Sequence, residues 1–164
     1  MAFLTKSRFK LALSCPTKLY YGTKVNNYED TKADDPFMMA LAEGGYQVGE
    51  LAKFLISDDP IGDDITVNEL DYEQSLAITR EKRSVGGRIA IAEAAFCFDE
   101  LFVRTDLFEE ENDTIKLLEV KAKSWDESVE FFKTYSRGPK AGTTEIEPKW
   151  KEYMYDIAFQ KYVV

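Results

Sequence analysis

The stretch that decides the fold runs from Arg88 to Lys123: RIAIAEAAFCFDELFVRTDLFEEENDTIKLLEVKAK. Three segments in it read as strands: 88–98, 100–109 and 114–123. Each is rich in Ile, Val, Leu or Phe, and polar residues separate them. The turn EEND (110–113) is short and polar and joins the last two as a hairpin. The expectation is a three-strand meander.

The same segments place charged side chains inside apolar surroundings. In a strand, alternate residues share a face. That groups Phe102, Arg104 and Asp106 against Val103, Thr105 and Leu107, and it puts Glu119 and Lys121 on one side. Pairing of the hairpin strands brings Asp106 toward Glu119, and Glu93 of IAEAAF adds a carboxylate from the preceding strand. The expected cluster is three acids and a lysine.

Working outward, residues 5–14 are expected to be helical, capped by Thr5 or Ser7. Pro16 opens a second short helix that Gly22 ends, and a polar loop follows. Asp35 and Pro36 start a helix with Phe37, Leu41, Gly44, Val48, Leu51 and Leu55 on one face. Gly44, Gly45 and Gly49 in that helix predict close packing or a break. Ile65–Val67 reads as a short strand and Asp71 as the start of a helix to about Lys82. Ser124 with Glu127 forms a capping box, predicting a helix over 125–135, and 136–148 reads as a loop. Pro148 opens a last helix with Trp150, Tyr153, Met154, Ile157 and Ala158 at helical spacing. Helices, a meander and more helices give an α+β (mixed α/β) domain with a helix-covered sheet.

No repeat or linker divides the chain, so residues 1–164 are expected to be one domain. The last helix meets no stop signal before Val164. It suits the N-terminal fragment of a longer protein and, equally, a C-terminal helix docked at the surface. At 45% apolar and 13% aromatic residues, the chain can build a core. It has no apolar run of membrane-spanning length and no secretory h-region, so the expectation is a cytoplasmic protein without a membrane partner.

There is no histidine and there are two cysteines, Cys15 and Cys97. This excludes Ser–His and Cys–His nucleophilic mechanisms, a disulfide framework and an ordinary zinc site. A metal held here sees oxygen ligands, favouring Mg²⁺, Mn²⁺ or Ca²⁺. Net charge of −9 argues against a broad basic footprint for nucleic acid, though it says little about one cleft. The cluster suits metal-assisted phosphodiester cleavage: carboxylates hold the ion, and a lysine orients water or stabilises developing charge. By spacing alone, a surface Glu–Lys pair fits as well.

VRTDL (103–107) followed by LLEVKAKS (117–124) resembles the PD-(D/E)XK nuclease core in its RecB-like branch. The ordered set LTKSRFKLALSCPTKLYY (4–21), DDPFMMALAEGGYQVGELAK (34–53), IAEAAF (91–96) and YDIAFQKYV (155–163) extends the likeness over nearly the whole chain. That set resembles a bacterial domain-of-unknown-function family of the same superfamily, related to CRISPR-associated RecB-like exonucleases and AddB-type helicase–nucleases. The resemblance implies a restriction-endonuclease-like core and a metal-dependent nuclease domain that hydrolyses DNA in repair, recombination or defence.

It also implies roles. Asp106 and Glu119 would ligate Mg²⁺ or Mn²⁺, supported by Glu93, and Lys121 would be the catalytic lysine. Gln160 matches the glutamine of a Gln-x-x-x-Tyr motif whose tyrosine position is Val164, with surface polarity the other reading. Asp156 lies one turn earlier, on the same face. Gly49 stands where the branch often has a histidine. Cys15 matches the first cysteine of iron–sulfur relatives. It is either a small buried residue here or a cluster ligand in a longer parent chain. The implied partners are DNA and the remaining C-terminal part of that parent. The alternative is a catalytically degenerate nuclease fold that binds or assembles, inactive as a fragment.

Overall fold

The computed structural model describes residues 3–22, 24, 35–124, 126, 128 and 130–164. The elements are β1 (Leu4–Thr5), α1 (Lys6–Ser14), α2 (Pro16–Gly22), α3 (Pro36–Ala52), α4 (Tyr72–Ser84), β2 (Ile89–Phe98), β3 (Leu101–Glu111), β4 (Thr114–Leu118), β5 (Phe132–Thr134), β6 (Thr144–Ile146) and α5 (Pro148–Val163). The class is mixed α+β, as expected. No described helix is long and apolar enough to cross a membrane.

The meander forms. β2 pairs antiparallel with β3 from Ile89↔Glu110 to Phe98↔Leu101. On the other edge of β3, β4 covers one end (Leu107↔Leu118 to Glu111↔Thr114) and β1 the other, in parallel (Leu4↔Leu101, Thr5↔Phe102). Residues 103–106 of that edge lie uncovered between β1 and β4. The edge opens because β4 leaves the ladder at Leu118, so Glu119 to Lys123 do not continue the expected strand.

Apolar burial fixes the sheet against α5. Ile91, Ala94, Phe96, Val103 and Phe108 form one cluster with Phe159 and Val163. Phe9 of α1 stacks on Phe159 at 4.8 Å. Strict alternation would not put both Ile91 and Ala94 in this cluster. The step of three falls at Glu93, whose φ of 58° lies in the left-handed region. A left-handed residue in a strand turns the following side chains, as bulges do. Leu107 accordingly joins Ile56, Ile65 and Ala92 in a second cluster, away from Val103. The simple two-face reading of β3 therefore ends at Asp106.

α4 starts where expected, with the Asp71 carboxylate accepting from the Gln74 N–H at 3.0 Å. Its Thr79 hydroxyl accepts from the buried Ala95 N–H at 2.9 Å, fastening α4 to β2. Thr66 bridges Ala92 in parallel fashion, all that forms of the expected strand at 65–67.

Three expectations are corrected. The helix predicted over 125–135 does not form: Phe132–Thr134 is a strand paired with Thr144–Ile146, inside the predicted loop. A capping box offers only local hydrogen bonds, whereas Phe, Thr and Tyr here gain a full antiparallel partner. Residues 125, 127 and 129 lie outside the described residues, as do 23 and 25–34 of the predicted early loop. α3 is continuous through its glycines, and nothing lies within 4 Å of where a Cβ would stand on Gly44, Gly45 or Gly49. Its apolar face is not buried either: Phe37, Leu41 and Leu51 are exposed. In α5 the buried stripe is Asp156, Phe159, Gln160 and Val163, while Ile157 and Ala158 face outward. The apolar spacing marked the wrong face because the true one carries two polar residues.

Candidate active site

The site occupies the uncovered edge of β3. Leu4 and Thr5 pair with β3, and Phe3 packs its ring against Tyr72 and Phe102. Thr5 then caps α1, its hydroxyl accepting from the Arg8 N–H at 3.4 Å. This strand-to-helix corner aims Lys6, the first residue of α1, into the gap between β1 and β4. The Lys6 ammonium lies 3.1 Å from Glu119 Oε2, 3.6 Å from Asp156 Oδ1 and 3.7 Å from Asp106 Oδ1. One turn on, Lys10 reaches Asp156 Oδ2 at 3.3 Å.

Glu119 is almost fully enclosed, with 4% of its side chain exposed. Lys121 donates to its Oε1, and Gln160 Nε2 donates to its Oε2 at 2.5 Å. The same Gln160 amide reaches Asp156 at 3.3 Å. Asp106 Oδ2 accepts the Val120 N–H at 2.7 Å, which ties the segment beyond β4 back to β3. Three lysines (6, 10 and 121) thus face three carboxylates (106, 119 and 156), and the charges cancel.

The structure brings Asp106, Glu119 and Lys121 together, with Asp156 and Gln160 buried beside them. Surface polarity is therefore not the reading of Gln160. Glu93 is one step along the β2–β3 register from Ala92↔Leu107, which sets it across from Asp106. Its carboxylate faces Arg104 at 3.5 Å rather than the lysine cluster. Gly49 lines the neighbouring cleft. Val164 sits at the end of α5, its N–H donating to the Gln160 carbonyl, and packs against the main core. Cys15 caps α1 as a half-buried free thiol, held down by the backbone N–H groups of Lys18 and Thr17. Cys97 is an exposed free thiol at the end of β2.

Sequence reasoning missed Lys6, Lys10 and the role of Arg104. The signal for the first two was their i, i+4 spacing, which puts both on one face of α1. Arg104 crosses from the sheet to the 65–70 segment, donating to the carbonyls of Val67 (2.6 Å) and Glu69 (3.0 Å). Its buried Nε has no hydrogen-bond partner.

Burial and charge split the two principal carboxyls. Burial pushes Glu119 upward, but the Lys121 hydrogen bond and the Lys6 charge outweigh it and hold Glu119 at about 2. Asp106 goes the other way: burial and the Glu119 charge raise it against the pull of Lys6. Burial lowers Lys6, yet Asp106, Glu119 and Asp156 together leave it raised. Glu93 is raised, chiefly by burial.

Asp106, Lys121, Glu93 and Arg104 open onto a cleft of about 1010 Å³. Its other wall is α3 and the following loop, including Tyr46, Leu51, Phe54, Ile61 and Leu70. Glu119 lies off the cleft, between Lys121 and Gln160. Carboxylate oxygens suit Mg²⁺ or Mn²⁺, and Asp106 and Glu119 already share one cation, the Lys6 ammonium. Among the described residues, no group of three or more acid or thiol side chains is arranged to hold a metal. Comparison of the chain with family models, curated proteins and solved structures gave no match.

Proposed function

We propose that this domain is a metal-dependent nuclease that hydrolyses DNA phosphodiester bonds. The observation that carries the reading is that Asp106 and Lys121 share a cleft wall while Glu119 and Gln160 brace them from behind. Glu119, held ionised far below neutral pH, fixes the Lys121 ammonium at the cleft rim. From there Lys121 can orient an attacking water and offset charge on the phosphate. Asp106, less acidic and 27% exposed, is the group best placed to exchange a proton or a ligand with the cleft. Asp106 and Glu119 would hold Mg²⁺ or Mn²⁺, which when bound supplies an acidified water and charge neutralisation. Glu93 keeps its backbone in a sparsely populated region at the cleft, the kind of strain found at functional sites.

Two observations favour a second reading, a degenerate nuclease fold that binds or assembles. The acids are already matched by lysines, and α3 exposes Phe37, Leu41 and Leu51 to solvent. The test is cleavage of single- and double-stranded DNA with Mg²⁺ or Mn²⁺. Asp106→Ala and Lys121→Met should each cut the rate at least about 10²-fold with the melting temperature little changed. Unchanged cleavage in Asp106→Ala removes the site from the nuclease reading. A wild-type chain that cleaves nothing gives the ground to the second.

A further inference from the structure

We propose that Lys6 is a built-in counter-ion that competes with a divalent cation for the Asp106–Glu119 pair, so that metal entry frees the Lys6 side chain from the sheet edge. The inference rests on the metal-site reading above and adds a regulatory element to it.

One ammonium spans both carboxylates that would ligate the ion, at 3.7 and 3.1 Å, and touches Asp156 as well. Two cations cannot share that position, because unit charges a few ångströms apart repel strongly in a partly enclosed site. The other two lysines stand differently. Lys121 lies on the cleft side of Glu119, and Lys10 meets Asp156. Neither bridges the Asp106–Glu119 pair.

Lys6 also has somewhere to go. Its side chain is 20% exposed, and it leaves from the first turn of a helix rather than from the sheet interior. When it leaves, Asp156 keeps Lys10 and Gln160 as partners, so no buried carboxylate is stranded. The device links occupancy of the site to the corner where the N-terminal strand, α1 and the sheet meet.

The experiment is Mn²⁺ titration by calorimetry on the whole chain, comparing wild type with Lys6→Met and Lys10→Met. Methionine keeps length and apolar stem while removing the charge. Lys6→Met should bind Mn²⁺ at least about tenfold more tightly than wild type. Lys10→Met, the same loss of charge outside the pair, should gain far less. A second measurement needs no variant: reductive methylation of Lys6, read by mass spectrometry, should be slow in EDTA and several-fold faster in Mg²⁺. Equal gains in the two variants, or Lys6 labelling indifferent to Mg²⁺, overturn the proposal and leave the nuclease reading standing. Binding by Lys6→Met alone supports the competition and removes the metal-dependent enzyme reading of the native chain. No binding by any form removes both.

Discussion

Strand β3 carries two sets of ion pairs a few residues apart, and they behave as opposites. At its outer end, Glu110 accepts a two-pronged hydrogen bond from Arg83 (2.7 and 3.0 Å), and Glu109 pairs with Arg88 and Lys116. These acids are partly covered at the sheet margin while Arg88 and Lys116 are exposed, and each acid is drawn down by its basic partner. At the uncovered edge, Asp106 at the cleft and the nearly enclosed Glu119 share Lys6, and they move in opposite directions. Each outer acid has basic partners of its own. Enclosure forces the inner carboxyls to divide one supply of positive charge, and that inequality distinguishes a reactive cluster from a surface ladder.

The comparison breaks most sharply at Asp156. Asp156→Ala removes a fully buried acid from beside Lys6 and Lys10 and leaves the Gln160 amide short of a partner. It should cost about 3 kcal/mol in urea unfolding at neutral pH. A loss as small as that of an outer pair would show that the inner cluster is no more enclosed than the margin.

The next effect is a pH dependence in metal-free buffer. The folded value of Glu119, about 2, lies below its ordinary 4.5, so its contribution is present above about pH 4.5 and is lost as pH falls toward 2. The raised Asp106 acts with the opposite sign and removes part of this. The net loss across that window should be smaller than the ~3 kcal/mol that the Glu119 shift alone gives, and Glu119→Gln should flatten it. An unaltered acid limb in the variant would assign the acid sensitivity elsewhere.

The smallest effect belongs to the margin. Glu110→Gln should cost about 0.5–1 kcal/mol, because Arg83 keeps its position over the rings of Phe96 and Phe108. About 1 M salt should erase most of that difference while leaving most of the Asp156→Ala loss.

The elements most legible in the sequence were those whose local and tertiary signals agree. Asp35–Pro36, Asp71 and Pro148 each start the helix they announce, and the apolar runs of β2 and β3 pair as a meander. Legibility failed where function and pattern diverge. α5 turns Asp156 and Gln160 inward, so counting apolar residues points to the opposite side of the helix. α3 has the periodicity of a packed helix, yet Phe37 and Leu51 remain exposed. At 132–134, tertiary pairing overrode a capping box. In the site, the residues of one hairpin were readable because they are neighbours in sequence. Lys6 was not, since only the parallel pairing of two N-terminal residues with β3 carries it there.

That pairing has a kinetic consequence. Lys6 and Glu119 are separated by 113 positions, and Lys10 and Asp156 by 146. Contacts at such separation close only after the intervening chain has been ordered, since loop-closure entropy must be met first. The β3–β4 hairpin and the segment just beyond it, with Asp106 and Lys121, can form early, whereas the cage around Glu119 waits for α1 and α5 to arrive. The completed cluster is therefore a marker of finished folding, and a nascent chain carries the hairpin's charges without their counterparts.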